Sequence, residues 1–179
     1  SCDQERGTMR NVVVRDNAIG GALFDGLGHA LLNCHIYGNE RKQVEANADA
    51  SLNMRNCLVV GPGLKEPRTV GVCLWNGRGR LDHCTIVNCV VGVQVRENAN
   101  IKNSIIADCP MLISIAKDAV PKFAIGKTLL SAGTVELGET VFAPDKLTAL
   151  TNAPQAKGLI LDMPKWEGPV YRLATNSPG

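Results

Sequence analysis

Five residues of this chain belong to types that together hold a sugar: Asp25, Glu45, Trp75, Gln94 and Arg96. Carboxylates and an amide take up hydroxyl groups, an indole face packs on a pyranose ring, and a guanidinium forks onto the carboxylate of a uronate. The two acids also raise catalysis. Glycoside hydrolysis needs two carboxyl groups about 5–5.5 Å apart for retention or about 6.5–9.5 Å apart for inversion. These residues are scattered over some seventy positions, so only an architecture that repeats along the chain brings them to one face.

Other chemistry is thinly represented. His29, His35 and His83 share no metal-binding spacing, and no phosphate-cradling glycine loop occurs, so neither a metal nor a cofactor is expected. Seven cysteines include no pair at the C-x-x-C spacing of zinc ribbons and thiol oxidoreductases. They are expected mostly as small buried hydrophobes, with at least one unpaired. The 179 residues carry 19 basic and 17 acidic side chains, a net charge of +2, with 45% hydrophobic residues. That suits one domain with a core, gives no run of about 18 apolar residues for a membrane span, and is too balanced for a nucleic-acid arm. No membrane or nucleic-acid partner is expected, and no leader-like segment is read at Ser1.

The positioning elements emerge from an internal repeat. Met9–Val14, Leu31–Ile36, Met54–Val59, Leu81–Ile86 and Ile101–Ile106 align on the anchors Asn11, Asn33, Asn56, His83 and Asn103, spaced by 22, 23, 27 and 20 residues. A degraded sixth copy spans Ala124–Leu129. Such periods mark a solenoid, in which a coil buries its apolar face only against its neighbours. Around the anchor, Met9/Leu31/Met54/Leu81/Ile101, Val12/Cys34/Cys57/Cys84/Ser104 and Val14/Ile36/Val59/Ile86/Ile106 form apolar or small columns that alternate with variable ones, the period of a strand. A further strand follows in each coil: Ala22–Phe24, Val44–Ala46, Val72–Leu74, Val93–Val95 and Ile113–Ile115. Gly21, Gly71 and Gly92 precede three of them, at expected tight bends. Asparagines at the anchor are expected to hydrogen-bond from coil to coil, with His83 a structural member of that ladder.

Repeats such as Leu81-Asp-His-Cys-Thr-Ile-Val-Asn-Cys and Ile101-Lys-Asn-Ser-Ile-Ile-Ala-Asp-Cys resemble the right-handed parallel β-helix repeat proteins, the architecture of pectate lyases and many bacterial secreted or surface proteins. The terminal Tyr171-Arg-Leu with Ser177-Pro is similar to segments that close such arrays. The resemblance implies an all-β, right-handed parallel β-helix (solenoid) of about five to six coils over residues 1–133. Residues 134–179, punctuated by prolines, are expected as an irregular C-terminal cap within the same domain. It also implies an extracellular or cell-surface location. The aspartate-rich signature of polygalacturonases and the calcium aspartates and catalytic arginine of pectate lyases are not recognisable here.

On this register two outward faces stand out. The strand after the anchor presents His35, Tyr37, Leu58, Val60 and Ile105, an apolar strip expected to be covered by the C-terminal tail or by a second copy in a homodimer. The following strand presents Asp25, Glu45, Trp75, Gln94 and Arg96, read either as a solvated polar face or as a sugar site. Two function classes follow: a noncatalytic binding or scaffold module, with a polysaccharide as its expected partner, or a polysaccharide lyase or glycoside hydrolase acting on an acidic polysaccharide.

Overall fold

The computed structural model describes residues 7–47, 49–63, 68–75, 77–167 and 172–173. Three parallel sheets run the length of a solenoid. Sheet A holds the strands ahead of the anchors: Thr8–Arg10, His29–Leu32, Ser51–Arg55, Arg78–Asp82, Asn98–Lys102, Phe123–Gly126 and Ala156–Lys157. Sheet B holds Val13–Arg15, His35–Tyr37, Leu58–Val60, Thr85–Val87, Ile105–Ala107, Leu129–Leu130 and Ile160–Leu161. Sheet C holds Gly20–Asp25, Lys42–Asn47, Val70–Leu74, Val91–Val95, Met111–Ile115 and Thr134–Leu137. The chain therefore makes six coils and the first two strands of a seventh.

The register follows the sequence columns. Ala22, Val44, Val72, Val93, Ile113 and Val135 are stacked partners, as are Val14, Ile36, Val59, Ile86, Ile106 and Leu130. Leu31, Met54, Leu81 and Ile101 from sheet A, Ile36, Ile86 and Ile106 from sheet B, and Leu74 and Ile113 from sheet C are fully buried and fill the interior.

The anchor is a backbone requirement. Asn11, Asn33, Asn56, His83, Asn103 and Lys127 all have φ between 48° and 56°. Asparagine tolerates that left-handed conformation best among residues with a Cβ, and His83 adopts it without altering the corner. The expected ladder is present on the exposed surface: Asn33 Nδ2 donates to Asn11 Oδ1 (3.1 Å) and Asn56 Nδ2 to Asn33 Oδ1 (3.2 Å). At His83 it changes partner. Asn103 Nδ2 donates to Asp82 Oδ1 (2.9 Å), which also lies 2.9 Å from His83 Nδ1.

The cysteines complete these corners. Cys34, Cys57 and Cys84 donate from Sγ to the carbonyl two residues back, at 3.4, 3.4 and 3.5 Å. Ser104 Oγ and Thr128 Oγ1 do the same at 2.6 and 3.0 Å in the same column. The next corner repeats the device, with Asn88 and Asp108 left-handed and Cys89 and Cys109 donating to Val87 and Ala107. A small side chain with one donor is what the position demands, which explains five of the seven cysteines. Cys34, Cys57, Cys73, Cys84, Cys89 and Cys109 are buried free thiols.

At Gly71 and Gly92 the reason for glycine is close approach rather than bending. A Cβ at Gly71 would lie 2.6 Å from both the Gly92 carbonyl oxygen and Ile86 Cγ2. In coil 2 the equivalent position is Gln43, fully buried, whose amide is satisfied by Asn39: Asn39 Nδ2 donates to Gln43 Oε1 at 2.8 Å, and Gln43 Nε2 donates to the Asn39 carbonyl at 2.5 Å.

Stacking runs past residue 133, beyond the expected end of the coils. Thr134–Leu137 finishes coil 6, Thr140–Phe142 pairs antiparallel with it, and a 3-10 segment Pro144–Asn152 packs Leu147 and Leu150 into the interior. The antiparallel strand and this segment lie between coil 6 and the return of the chain to sheets A and B. Trp166–Glu167 and Arg172–Leu173 pair with each other.

Candidate functional site

Sheet C places the five sequence-selected residues on its outward side. One column reads Leu23, Glu45, Cys73, Gln94, Ser114 and Glu136; the next reads Asp25, Asn47 and, one residue past the paired strands, Trp75 and Arg96. The centre is Trp75, half-buried, with the Arg96 guanidinium carbon 3.6 Å from its ring centroid and Lys42 Nζ at 5.4 Å. Stacking along the solenoid axis makes this pairing natural, because an indole projecting from coil 3 turns a face toward the side chain above it. Arg96 therefore covers part of the surface a sugar ring would use, a contact the sequence columns did not suggest.

Lys42 ties a second residue into the group through an ion pair and hydrogen bond to Glu45. Gln94 Oε1 accepts from Cys73 Sγ (3.6 Å), and Glu136 Oε2 accepts from Ser114 Oγ (3.0 Å). Burial pushes the Cys73 thiol up to about 11, so it remains protonated. Glu45, Trp75, Gln94 and Arg96 form a cluster across coils 2 to 4. Asp25 stands apart, exposed at the end of its strand. It is the diagonal neighbour of Glu45 across adjacent coils, a relation that sets backbones about 7–8 Å apart. Asn47, in register between Asp25 and Trp75, has its Oδ1 buried with no hydrogen-bond partner among the described residues. A cleft of about 300 Å³ lined by Ile19, Ala22, Leu23, Arg41, Lys42 and Glu45 opens beside the cluster.

Of the coil 3 loop Gly63–Thr69, residues 64–67 lie outside the described residues. On sheet B, His35 is exposed and Tyr37, Leu58, Val60 and Ile105 are half-buried, while Val87 and Ala107 in the same outward columns are fully buried.

The histidines are dispersed. His29 Nδ1 accepts from the Gly7 amide (3.2 Å), its Nε2 lies 2.7 Å from the Asp25 carbonyl, and its ring tilts against Phe24. Among the described residues, no three His, Cys, Asp or Glu side chains are grouped to hold a metal ion, and no helix is long and apolar enough to cross a membrane.

Residues 1–109 match the family model of the right handed beta helix region. The chain belongs to that family. No curated protein and no solved structure matches it. Membership accounts for this β-helix module's corners and register, while its outward faces are its own.

Proposed function

We propose that this β-helix is a noncatalytic binding module whose ligand is a carbohydrate held on the outward face of sheet C. The observation that carries the reading is the braced cluster across coils 2 to 4. Lys42 holds Glu45 at the rim of a cleft, and Arg96 lies on Trp75. A rigid set of donors and acceptors beside an indole edge binds hydroxylated rings at little cost in side-chain entropy. Binding is preferred to turnover because Glu45 is already engaged by Lys42, whereas hydrolysis asks one carboxyl group to carry a proton to the leaving oxygen. Such a module would act outside the cell or on its surface.

The test is titration of neutral and acidic glycans with the wild-type chain, Trp75→Ala and Arg96→Ala, with reducing ends and unsaturated uronate products followed in parallel. Binding weakened about tenfold by either substitution, without product, is the expected result. Product formation abolished by Asp25→Asn or Glu45→Gln would replace this reading with a polysaccharide lyase or glycoside hydrolase. No binding to any glycan would overturn it.

A further inference from the structure

The outward face of sheet A carries a column with its own rule. In register from coil 1 to coil 7 it reads Arg10, Leu32, Arg55, Asp82, Lys102, Gly126 and Lys157. Every odd coil bears a cation and no even coil does. All four cations are exposed, and none forms an ion pair among the described residues. The one acid in the column, Asp82, is occupied locally by Asn103 Nδ2 and His83 Nδ1, each 2.9 Å from its Oδ1, with Arg80 3.8 Å from its Oδ2. The neighbouring outward column reads Thr8, Ala30, Asn53, Arg80, Asn100 and Ala124, and Arg78 stands beyond it. The sheet therefore presents six cations and a single, already engaged acid, on a chain whose overall charge is nearly balanced.

Two further observations describe what would lie there. A trough of about 400 Å³, lined by Ala30, Ser51, Asn53, Arg78 and Arg80, crosses coils 2 to 4 on this face. Neighbouring strands lie about 4.8 Å apart, so cations on alternate coils recur about every 9.6 Å along the axis. That interval is close to the length of one disaccharide in an extended glycan.

We propose that the outward face of sheet A binds an extended acidic polysaccharide with one carboxylate per disaccharide, lying along the solenoid axis. Arg10, Arg55, Lys102 and Lys157 each take one carboxylate. A DNA duplex fits poorly, because each of its strands brings a charge about every 3.4 Å along the axis and therefore nearly three for each cation interval. A polyuronate charged on every sugar would leave alternate carboxylates opposite Leu32, Asp82 and Gly126. This face is separate from the sheet C cluster, so either proposal can fail alone.

The test is a titration of labelled hyaluronan oligosaccharide, which has one carboxylate per disaccharide, against polygalacturonate, dextran and a single-stranded oligonucleotide at low and physiological ionic strength. The expected result is salt-sensitive hyaluronan binding and none to dextran. The Arg55→Gln/Lys102→Gln variant should lose about tenfold in affinity, while Arg96→Ala on sheet C leaves binding unchanged. Leu32→Lys, which adds a cation on an even coil, should shift preference toward polygalacturonate. Thermal melts establish that each variant is folded; if the double variant is not, Arg10→Gln/Lys157→Gln at the ends of the column replaces it. Absence of hyaluronan binding at low salt, affinity unaltered by the folded double variant, or tighter binding of the oligonucleotide would overturn the proposal.

Discussion

Ile86 gives the sharpest energetic test of the stacked interior. It is fully buried, stands in register between Val59 and Ile106, and its Cγ2 occupies the space in which a Gly71 Cβ would sit. Removing buried aliphatic carbons costs the transfer free energy plus a term for the cavity left behind, about 2–5 kcal/mol for Ile→Ala. Here the surroundings are the backbone and close-packed side chains of adjacent coils, which cannot collapse inward, so the upper part of that range, about 3–5 kcal/mol, is expected. Ile86→Val should cost about 0.5–1.5 kcal/mol. Ile86→Asp, which buries an unpaired carboxylate, should leave the protein unfolded or aggregated. Thr85 is the control: it points outward, is half-buried, and its change to alanine should stay within about 1 kcal/mol. Urea denaturation followed by far-ultraviolet circular dichroism measures all four. A one-residue slip exchanges the roles of Thr85 and Ile86. If Ile86→Ala costs under about 1 kcal/mol while Thr85→Ala costs more, the reasoning is refuted.

Three other outcomes follow from the corners. The hydrogen bond from Cys84 holds the Cys57 thiol down to about 7, yet Cys57 is 2% exposed. Iodoacetamide at neutral pH should therefore leave Cys34, Cys57, Cys73, Cys84, Cys89 and Cys109 unlabelled in the native protein and label them after denaturation, as read by peptide mass spectrometry. Cys84→Ser should remain within about 1 kcal/mol of the parent, since Ser104 and Thr128 fill the same column, whereas Cys84→Leu should lose about 1–3 kcal/mol through overpacking in a urea titration. Asp82 is held below the ordinary carboxylate range chiefly by the Asn103 amide, with further help from His83 and Arg80. A depressed folded-state pKa contributes stability that is complete above the unfolded value of about 3.9 and vanishes as pH falls through the folded value. The stability gap between the parent and Asp82→Asn should therefore narrow below about pH 4, and a gap independent of pH would contradict the assignment.

What was legible in the sequence was whatever recurs with a fixed offset. Apolar alternation at Met54, Cys57 and Val59 or at Leu81, Cys84 and Ile86 reveals the inward side directly, because a coil core admits no polar substitute without a partner. The continuation past residue 133 was hidden for a physical reason. Ala156–Lys157 and Ile160–Leu161 are two-residue strands, too short to display alternation, and the antiparallel Thr140–Phe142 with its 3-10 successor separates them from the earlier coils. The anchor asparagines were visible as a column, but their left-handed backbone was not; hydrogen bonding alone would not explain His83 or Lys127. On sheet C the columns were readable, whereas the Arg96–Trp75 stack and the Lys42–Glu45 pair depend on side-chain length and direction. The sheet A cations are legible too, since each directly precedes a left-handed corner residue, Asn11, Asn56, Asn103 or Gly158. Arg10, Arg55, Lys102 and Lys157 fall on coils 1, 3, 5 and 7.

The central claim is that equivalent residues are stacked at a constant rise along one axis. Spin labels at exposed positions of the sheet A column, in a Cys2→Ser background, measure that rise by pulsed electron paramagnetic resonance. Four coils separate residues 10 and 102, and six separate 10 and 157, so label distances should centre near 19 Å and 29 Å respectively. A distance between 10 and 157 equal to or shorter than that between 10 and 102 would contradict the stacked solenoid.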